Sequence, residues 1–229
     1  MTAPALDVVL GQSRAHLAPL SDKVFLHAAT LPAFVELRAR GLQRGIDLAV
    51  ASGYRSFERQ CSIWNAKARG ERPVLDDWGR PLDLAALSER DKVFAILRWS
   101  ALPGASRHHW GTDMDVWDRA AVADDYALRL VPEEYAPAGP FAALGAWLGS
   151  DEVAASGFFR PFFPPHGGDR GGIAPEPWHL SHRPLARQFS RCLTRDRLAA
   201  AIRSHRVELA ETVLAHLDEI YERFVLCPA

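Results

Sequence analysis

The chain has 229 residues, of which 48% are hydrophobic and 24% charged, and its formal net charge at pH 7 is -1. This length fits one domain of generous size, and the composition is typical of ordinary soluble globular proteins. A net charge so close to zero, with Arg residues scattered along the chain, argues against nucleic acid or an anionic membrane as a partner.

The first half of the sequence predicts helices around one short strand. Apolar residues at helical spacing predict a helix over 31–45, and the β-rich run 46–51 predicts a strand. Ser56 is the predicted N-cap of a helix that ends near residue 68. After a loop rich in Pro, Gly and Asp, a second N-cap, Ser88, begins a helix that ends near residue 99.

The second half predicts two more strands and a helical end. Alternating residues predict a strand over 112–117, and the stretch 141–155 predicts a helix. Four Pro and four Gly residues in 161–175 predict a surface loop. A short strand is predicted over 176–182, and helical spacing continues from 183 to near 226.

These elements predict an α+β fold. We expect a small, mostly antiparallel sheet with helices packed around it, and helix in excess of strand. The chain is interpreted as a single domain, 1–229, with a core of about residues 30–183 and a helical C-terminal extension, 184–229.

The compartment is predicted from the N-terminus and the cysteines. The first residues, Met-Thr-Ala-Pro-Ala-Leu-Asp, lack the basic and apolar parts of a secretory signal, and no run of about 18 apolar residues predicts a membrane span. The three cysteines, Cys61, Cys192 and Cys227, form no Cys-x-x-Cys pair. If Met1 is the natural start we expect a cytoplasmic protein, whereas a trimmed N-terminus would allow the periplasm or the cell envelope.

Three short segments carry residues suited to a metal site. A catalytic zinc needs three protein ligands from His, Asp or Glu and one open position. His108 precedes a turn at Gly111, and Asp115 follows on a predicted strand, so that the turn can bring both side chains to one metal. His179 would come from a second strand. Glu176 lies three residues earlier, across a proline, and could face the metal without binding it.

The spacing of these residues resembles a known family. The pattern Ser-x-His-x-x-Gly-x-x-x-Asp at 106–115, followed by Glu-x-Trp-His at 176–179, resembles the VanY-type D-alanyl-D-alanine carboxypeptidases and the related VanX-type dipeptidases, which are zinc peptidases. The segment Ser-Gly-Tyr-Arg-Ser at 52–56 also resembles theirs. Three motifs in this order, over roughly residues 30–182, make the resemblance specific.

The resemblance implies a role for each matching position. It implies that Zn2+ is held by His108, Asp115 and His179, that the catalytic base is Glu176, that the cation steadying the oxyanion is Arg55, and that substrate is contacted by Ser106 and Gln60. The implied reaction is hydrolysis of the amide bond before a C-terminal D-alanine in a peptidoglycan stem peptide or muropeptide. The implied partner is therefore a peptide substrate, with no nucleic acid and no insertion into a membrane.

One position departs from the family pattern. Asp113 stands where the family usually has a small residue, and on a strand it would share a face with Asp115. Asp113 could accept a hydrogen bond from a histidine ligand, or it could compete for the metal. The spacing favours Asp115 as the ligand.

Several functions remain open at this point. The motifs fit a D,D-carboxypeptidase, an L,D-carboxypeptidase or a D-Ala-D-Ala dipeptidase, and a non-catalytic module that binds peptidoglycan peptides on the same fold is a further alternative. A serine hydrolase is disfavoured because no Gly-x-Ser-x-Gly motif occurs. A zinc protease of the His-Glu-x-x-His type is excluded because that motif is absent.

Overall fold

A small antiparallel sheet lies at the centre of the molecule. The computed structural model describes residues 3–164 and 171–226. Its strands are β1 (Leu17–Pro19), β2 (Phe25–His27), β3 (Leu48–Ser52), β4 (Asp113–Asp118), β5 (Phe158–Phe159) and β6 (His179–His182). β1 and β2 form a separate hairpin, and the other strands form one antiparallel sheet in the order β3-β4-β6-β5. The central pair, β4 and β6, carries Asp115 and His179.

Helices surround this sheet. They are α1 (Leu6–Val9), α2 (Leu31–Leu42), α3 (Phe57–Ala68), α4 (Glu89–Trp99), α5 (Pro132–Tyr135), α6 (Ala142–Trp147), α7 (Asp151–Ala155), α8 (Arg183–Cys192), α9 (Arg195–Ser204), α10 (Ala210–Ala215) and α11 (Leu217–Ile220). A π-helical turn, Tyr221–Val225, follows α11. The predicted α+β class, with helix in excess of strand, is confirmed. Within the described ranges, no helix combines the length and apolar character needed to cross a membrane.

Two helices begin where the sequence predicts. The hydroxyl of Ser56 accepts a hydrogen bond from the backbone N–H of Arg59 at 3.2 Å, and Ser88 does the same for Asp91 at 3.1 Å. Each hydroxyl satisfies an N–H group that has no partner within the helix. The N-caps of α3 and α4 are thereby confirmed, and the Ser56 cap determines where α3 begins after β3.

Other boundaries differ from the prediction. The helix predicted over 141–155 is two helices, α6 and α7, because the chain turns at Gly149 and Ser150 caps α7. The strand predicted over 176–182 begins only at His179, because residues 176–179 form a turn in which the N–H of His179 donates to the carbonyl of Glu176 at 3.2 Å. The hairpin β1-β2 and the short strand β5 were not predicted. Part of the loop predicted over 161–175, residues 165–170, lies outside the described residues.

The sheet separates an apolar cluster from the side that carries the polar residues. Met114 and Val116 of β4 are fully buried among apolar side chains of α2, α6 and β6. Because side chains alternate along a strand, Asp113 and Asp115 point to the opposite face. A second apolar cluster joins α3 and α4 to the helices that follow β6. The first cluster thus anchors β4 through Met114 and Val116 and leaves its other face to the aspartates.

Candidate active site

A sharp reversal brings His108 next to Asp115. Residues Arg107–Trp110 form a short 3-10 helix, and Gly111 then adopts a left-handed conformation with φ of 66°. A Cβ atom at this position would lie 2.7 Å from the backbone nitrogen of His27, so only glycine fits both the conformation and the space. β4 begins at Asp113, and the Nε2 atom of His108 lies 3.4 Å from Oδ2 of Asp115.

Strand pairing supplies the third member of this group. Asp115 pairs with His179 across β4 and β6, and the Nδ1 atom of His179 lies 3.3 Å from Oδ1 of Asp115. One ligand atom from each of His108, Asp115 and His179 lies within 4.8 Å of the others, and all three residues are buried. Two imidazole nitrogens and one carboxylate oxygen are a donor set that suits Zn2+. The structure thus brings together the three residues that the sequence pattern singles out.

Hydrogen bonds fix which nitrogen of each histidine faces this group. The Nδ1 atom of His108 lies 2.8 Å from the carbonyl oxygen of Gly53, which can only accept, so Nδ1 donates and Nε2 is left facing Asp115. The Nε2 atom of His179 lies 3.0 Å from Oδ1 of Asp113, which leaves Nδ1 facing Asp115. Such partners orient imidazoles that bind metals and set their tautomers.

Asp113 is held behind His179. It is fully buried, and it also accepts hydrogen bonds from Nε of Arg107 at 2.7 Å and from the hydroxyl of Thr112 at 2.6 Å. Both carboxylate oxygens are therefore engaged by groups on the far side of His179. Of the two alternatives that the sequence left open, this geometry supports an orienting role rather than competition for the metal.

Three carboxylates surround the imidazole of His179, those of Asp113, Asp115 and Glu176. Burial alone would raise the pKa of Asp115, but the adjacent His108 and His179 lower it well below its usual range. Burial likewise opposes ionisation of Asp113, and Arg107 and His179 again lower the pKa. Burial would lower the pKa of His179, but Asp113, Asp115 and Glu176 raise it well above its usual value. A site with this excess of negative charge favours a cation.

Glu176 reaches the same place from the turn before β6. Its backbone N–H donates to the carbonyl of Phe162 at 2.8 Å, which anchors the turn. Its Oε2 atom lies 3.4 Å from Nδ1 of His179, on the side that faces Asp115. The Glu176 side chain is 15% exposed, so it has access to the adjacent cavity.

Arg55 enters from the end of β3. Its backbone N–H donates to the carbonyl of His108 at 3.1 Å, which ties the two motifs together. Its guanidinium donates to Oε1 of Gln60 at 2.9 Å and to the hydroxyl of Ser52 at 3.3 Å. Burial lowers the pKa of Arg55, and the negative charges of Asp115 and Glu176 oppose that effect. Gln60 is fully buried behind Arg55 and donates to the carbonyl of Ala101 at 2.6 Å.

One cavity of about 560 Å³ is bordered by His108, Asp115, His179, Glu176 and Arg55, whereas Asp113 and Gln60 lie behind its wall. Its wall contains Arg55, Ser106, His108, Asp115, Glu176 and His179, together with apolar side chains that include Trp99, Phe162 and Trp178. Ser106 is 2% exposed and lies on this wall, and its contact with substrate stays a prediction. The cavity can hold a short peptide with its reacting bond beside the His-Asp-His group.

Sequence reasoning missed several residues of this region. Arg107 and Thr112 hold Asp113, but in a chain with so many arginines the identity of Arg107 carries no signal. Lys67 and Ser100 also line the cavity and hydrogen-bond to each other at 2.7 Å. Lys67 lies seven residues after Gln60, and α3 places both on the helix face toward Ser100 and Ala101. That helical spacing is a signal that could have found Lys67.

Solved structures share this fold. A mutant of the vancomycin resistance D,D-pentapeptidase VanY in complex with Zn(II) matches with a TM-score of 0.53 and 21% identity, over 88% of this chain and 91% of that chain. VanYB in complex with D-alanine-D-alanine matches with a TM-score of 0.54 and 20% identity, over 85% and 92%. The LdcB LD-carboxypeptidase matches with a TM-score of 0.53 and 20% identity, over 93% and 79%. At this identity the likeness establishes the fold.

The family follows from the sequence comparisons. The family model VanY, D-alanyl-D-alanine carboxypeptidase, matches residues 23–185, which is well over half of the chain, and the chain belongs to this family. An uncharacterized protein of Haemophilus influenzae is 45% identical over 100 residues, which are 42% of this chain and 68% of the relative. A second uncharacterized protein of that organism is 30% identical over 125 residues, which are 55% of this chain and 93% of the relative.

Proposed function

We propose that this chain is a zinc-dependent carboxypeptidase that hydrolyses the amide bond before a C-terminal D-alanine of peptidoglycan stem peptides. The observation that carries the proposal is the single cavity that His108, Asp115, His179, Glu176 and Arg55 all border. Membership of the VanY family supports the reaction class. The names of the structural relatives, a D,D-pentapeptidase and an LD-carboxypeptidase, support the substrate class.

His108, Asp115 and His179 would hold the metal. The donor set fits Zn2+, and the hydrogen bonds from His108 to Gly53 and from His179 to Asp113 direct the other nitrogen of each imidazole at the site. When bound, Zn2+ would polarise the scissile carbonyl and lower the pKa of water toward about 7.

Glu176 would move the proton. Its carboxylate lies beside the metal ligands and next to the open cavity, where it can accept a proton from the attacking water. The same carboxylic acid can then deliver that proton to the nitrogen of the leaving amino acid, so that the amine departs neutral. Glu176 is therefore the proposed general base and general acid.

The remaining site residues would act on the substrate. Arg55 is proposed to donate hydrogen bonds to the carbonyl oxygen as negative charge develops on it. Gln60 is proposed to hold the Arg55 guanidinium in place, because its own carbonyl accepts from Arg55 and its amide is used on Ala101. Ser106 is proposed to contact substrate from the cavity wall. Asp113 is proposed to orient His179.

A defined panel of peptides tests the reaction. Zinc-loaded protein and a Glu176→Gln control are incubated with a stem tetrapeptide, a stem pentapeptide and free D-Ala-D-Ala, and the products are weighed by mass spectrometry. Loss of one alanine from the tetrapeptide alone defines an L,D-carboxypeptidase, and loss from the pentapeptide alone defines a D,D-carboxypeptidase. Cleavage of D-Ala-D-Ala defines a dipeptidase. Binding without any cleavage would overturn the proposal in favour of a module that binds peptides.

A further inference from the structure

Two cationic side chains on the cavity wall have no carboxylate partner among the described residues. Arg55 donates only to the neutral groups of Gln60 and Ser52, and the ammonium of Lys67 donates to the hydroxyl of Ser100 at 2.7 Å. The other arginines on this wall are placed differently, since Arg107 pairs with Asp113 at 2.7 Å and Arg129 lies 3.8 Å from Glu134. An inward-facing cation held by neutral groups calls for an anion from elsewhere.

Lys67 is half-buried in the cavity wall. It is the penultimate residue of α3, and its ammonium donates to the hydroxyl of Ser100, just past the end of α4. Burial lowers its pKa to about 8, with further lowering by Arg72 and Arg55 and an opposing effect of Glu176. The surroundings of the ammonium are thus short of negative charge, although the side chain is long enough to reach water in another rotamer.

Apolar side chains of the same cavity increase the strength of any ion pair formed there. Trp99, Ile173, Phe224 and Val225 line the same space and are apolar. Phe224 and Val225 come from the turn after α11, beyond the residues 23–185 that match the family model. An apolar wall lowers the local dielectric, so a carboxylate beside Lys67 gains more than it would in water.

In the proposed reaction the substrate carries negative charge at two positions, and the cavity wall has two cations, Arg55 and Lys67, that can bind them. The first is the carbonyl oxygen that becomes negative during hydrolysis, which Arg55 serves. The second is the C-terminal carboxylate, whose charge is permanent. We infer that Lys67, supported by Ser100, binds the C-terminal carboxylate of the substrate and thereby restricts the enzyme to the last residue of a peptide. This inference rests on the proposed function.

Paired substrates test the inference. The stem peptide that the wild-type enzyme cleaves is compared with the same peptide ending in D-alanine amide, which lacks the charge. In Lys67→Met we expect KM for the free acid to rise at least about tenfold, because a hydrogen bond to a charged group is lost, with kcat within about threefold of wild type. Cleavage of the amide stays at its wild-type level. Lys67→Arg, which keeps a cation, retains most of the preference for the acid.

Controls separate a binding role from a structural one. Lys23→Met removes a charge from an exposed lysine outside the cavity and leaves both substrates unaffected. Ser100→Ala keeps the Lys67 ammonium but removes the hydroxyl that accepts its hydrogen bond. It gives a smaller rise in KM, and only for the free acid. This variant replaces Lys67→Met as the test if Lys67→Met does not fold. The inference would be overturned if Lys67→Met lost activity equally on the free acid and the amide, or lost none on either. Cleavage by the wild-type enzyme would still uphold the proposed function in that case. A wild-type enzyme that cleaves no peptide would overturn both.

Discussion

The two sides of the cavity are built on opposite principles. On the sheet side, Asp113, Asp115 and Glu176 all lie within 3.4 Å of the single imidazole of His179, so negative charge is concentrated and partly neutralised within the protein. On the helix side, the side-chain hydrogen bonds of Arg55 and Lys67 to the described part of the chain all go to neutral groups. Under the proposed function, the comparison teaches that a cation would complete the sheet side and that an anionic substrate would complete the helix side.

The largest effect should come from removing a carboxylate of the sheet side. In Asp115→Asn we expect most of the bound zinc to be lost and kcat/KM to fall by on the order of a thousandfold or more, since base and electrostatic catalysis both depend on the assembled site. Atomic emission spectrometry after dialysis gives the zinc content. Asp118→Asn, at a buried position of the same strand, should keep its zinc and its activity. Full zinc content in Asp115→Asn would contradict the ligand assignment.

A cation of the helix side should matter for rate but not for metal. In Arg55→Met we expect kcat to fall about 100- to 1,000-fold, because a donor to the developing oxyanion is lost. Zinc content stays at one ion per chain on the same spectrometric assay. Arg59→Met, which removes an exposed arginine from the next helix, is the matched control. If Arg55→Met lost both its zinc and its kcat, Arg55 would instead be a residue that maintains the structure of the metal site.

A smaller effect is expected behind the metal ligands. Asp113→Asn keeps the shape of the side chain but weakens its hold on His179, and we expect zinc affinity to fall about 10- to 100-fold. Competition with a chelator of known affinity measures the change. At saturating zinc the variant should recover most of its activity. An unchanged affinity would show that the hydrogen bond between Asp113 and His179 does not support metal binding.

The smallest effect concerns pH. The Lys67 ammonium is charged below its pKa of about 8 and loses its charge above it, in surroundings set by Ser100, Arg55, Arg72 and Glu176. We therefore expect KM for the free acid to be flat below that pH and to rise about tenfold by one to two units above it. Steady-state kinetics across pH provide the measurement. In Lys67→Arg the rise should disappear, and its persistence would assign the titration to another group.

The sequence predicted the elements that local chemistry determines. The N-caps Ser56 and Ser88 and the strand that carries Asp115 follow from side-chain hydrogen bonds and from alternation, and both signals are local. The hairpin β1-β2 was missed because its short strands gain their order from long-range contacts, such as the hydrogen bond from the N–H of His27 to the carbonyl of Gly111. β5 has only two residues, too few for any periodic signal.

The candidate site shows the same division. The motif spacing was sufficient to single out His108, Asp115 and His179, which the structure places together. Among the partners of these histidines, Asp113 was one of two alternatives that the sequence offered, but the other partners could not be found in this way. The carbonyl of Gly53 contacts His108, and the side chain of Arg107 contacts Asp113, only because the chain folds that way. A backbone oxygen, moreover, has no sequence signature. The roles of these residues remain predictions until the variants above are measured.

The strand β4 also limits how this protein can change over evolutionary time. On this strand Asp115, the proposed ligand, pairs with His179 of β6, and Asp113, the proposed orienting residue, pairs with Ser181, with Met114 between the two aspartates. Insertion or deletion of one residue between Asp113 and Asp115 would reverse the faces on one side of the change, so that the two aspartates would no longer point to the same face. Loops elsewhere can lengthen or shorten while the site persists, but the length of β4 is fixed by its chemistry.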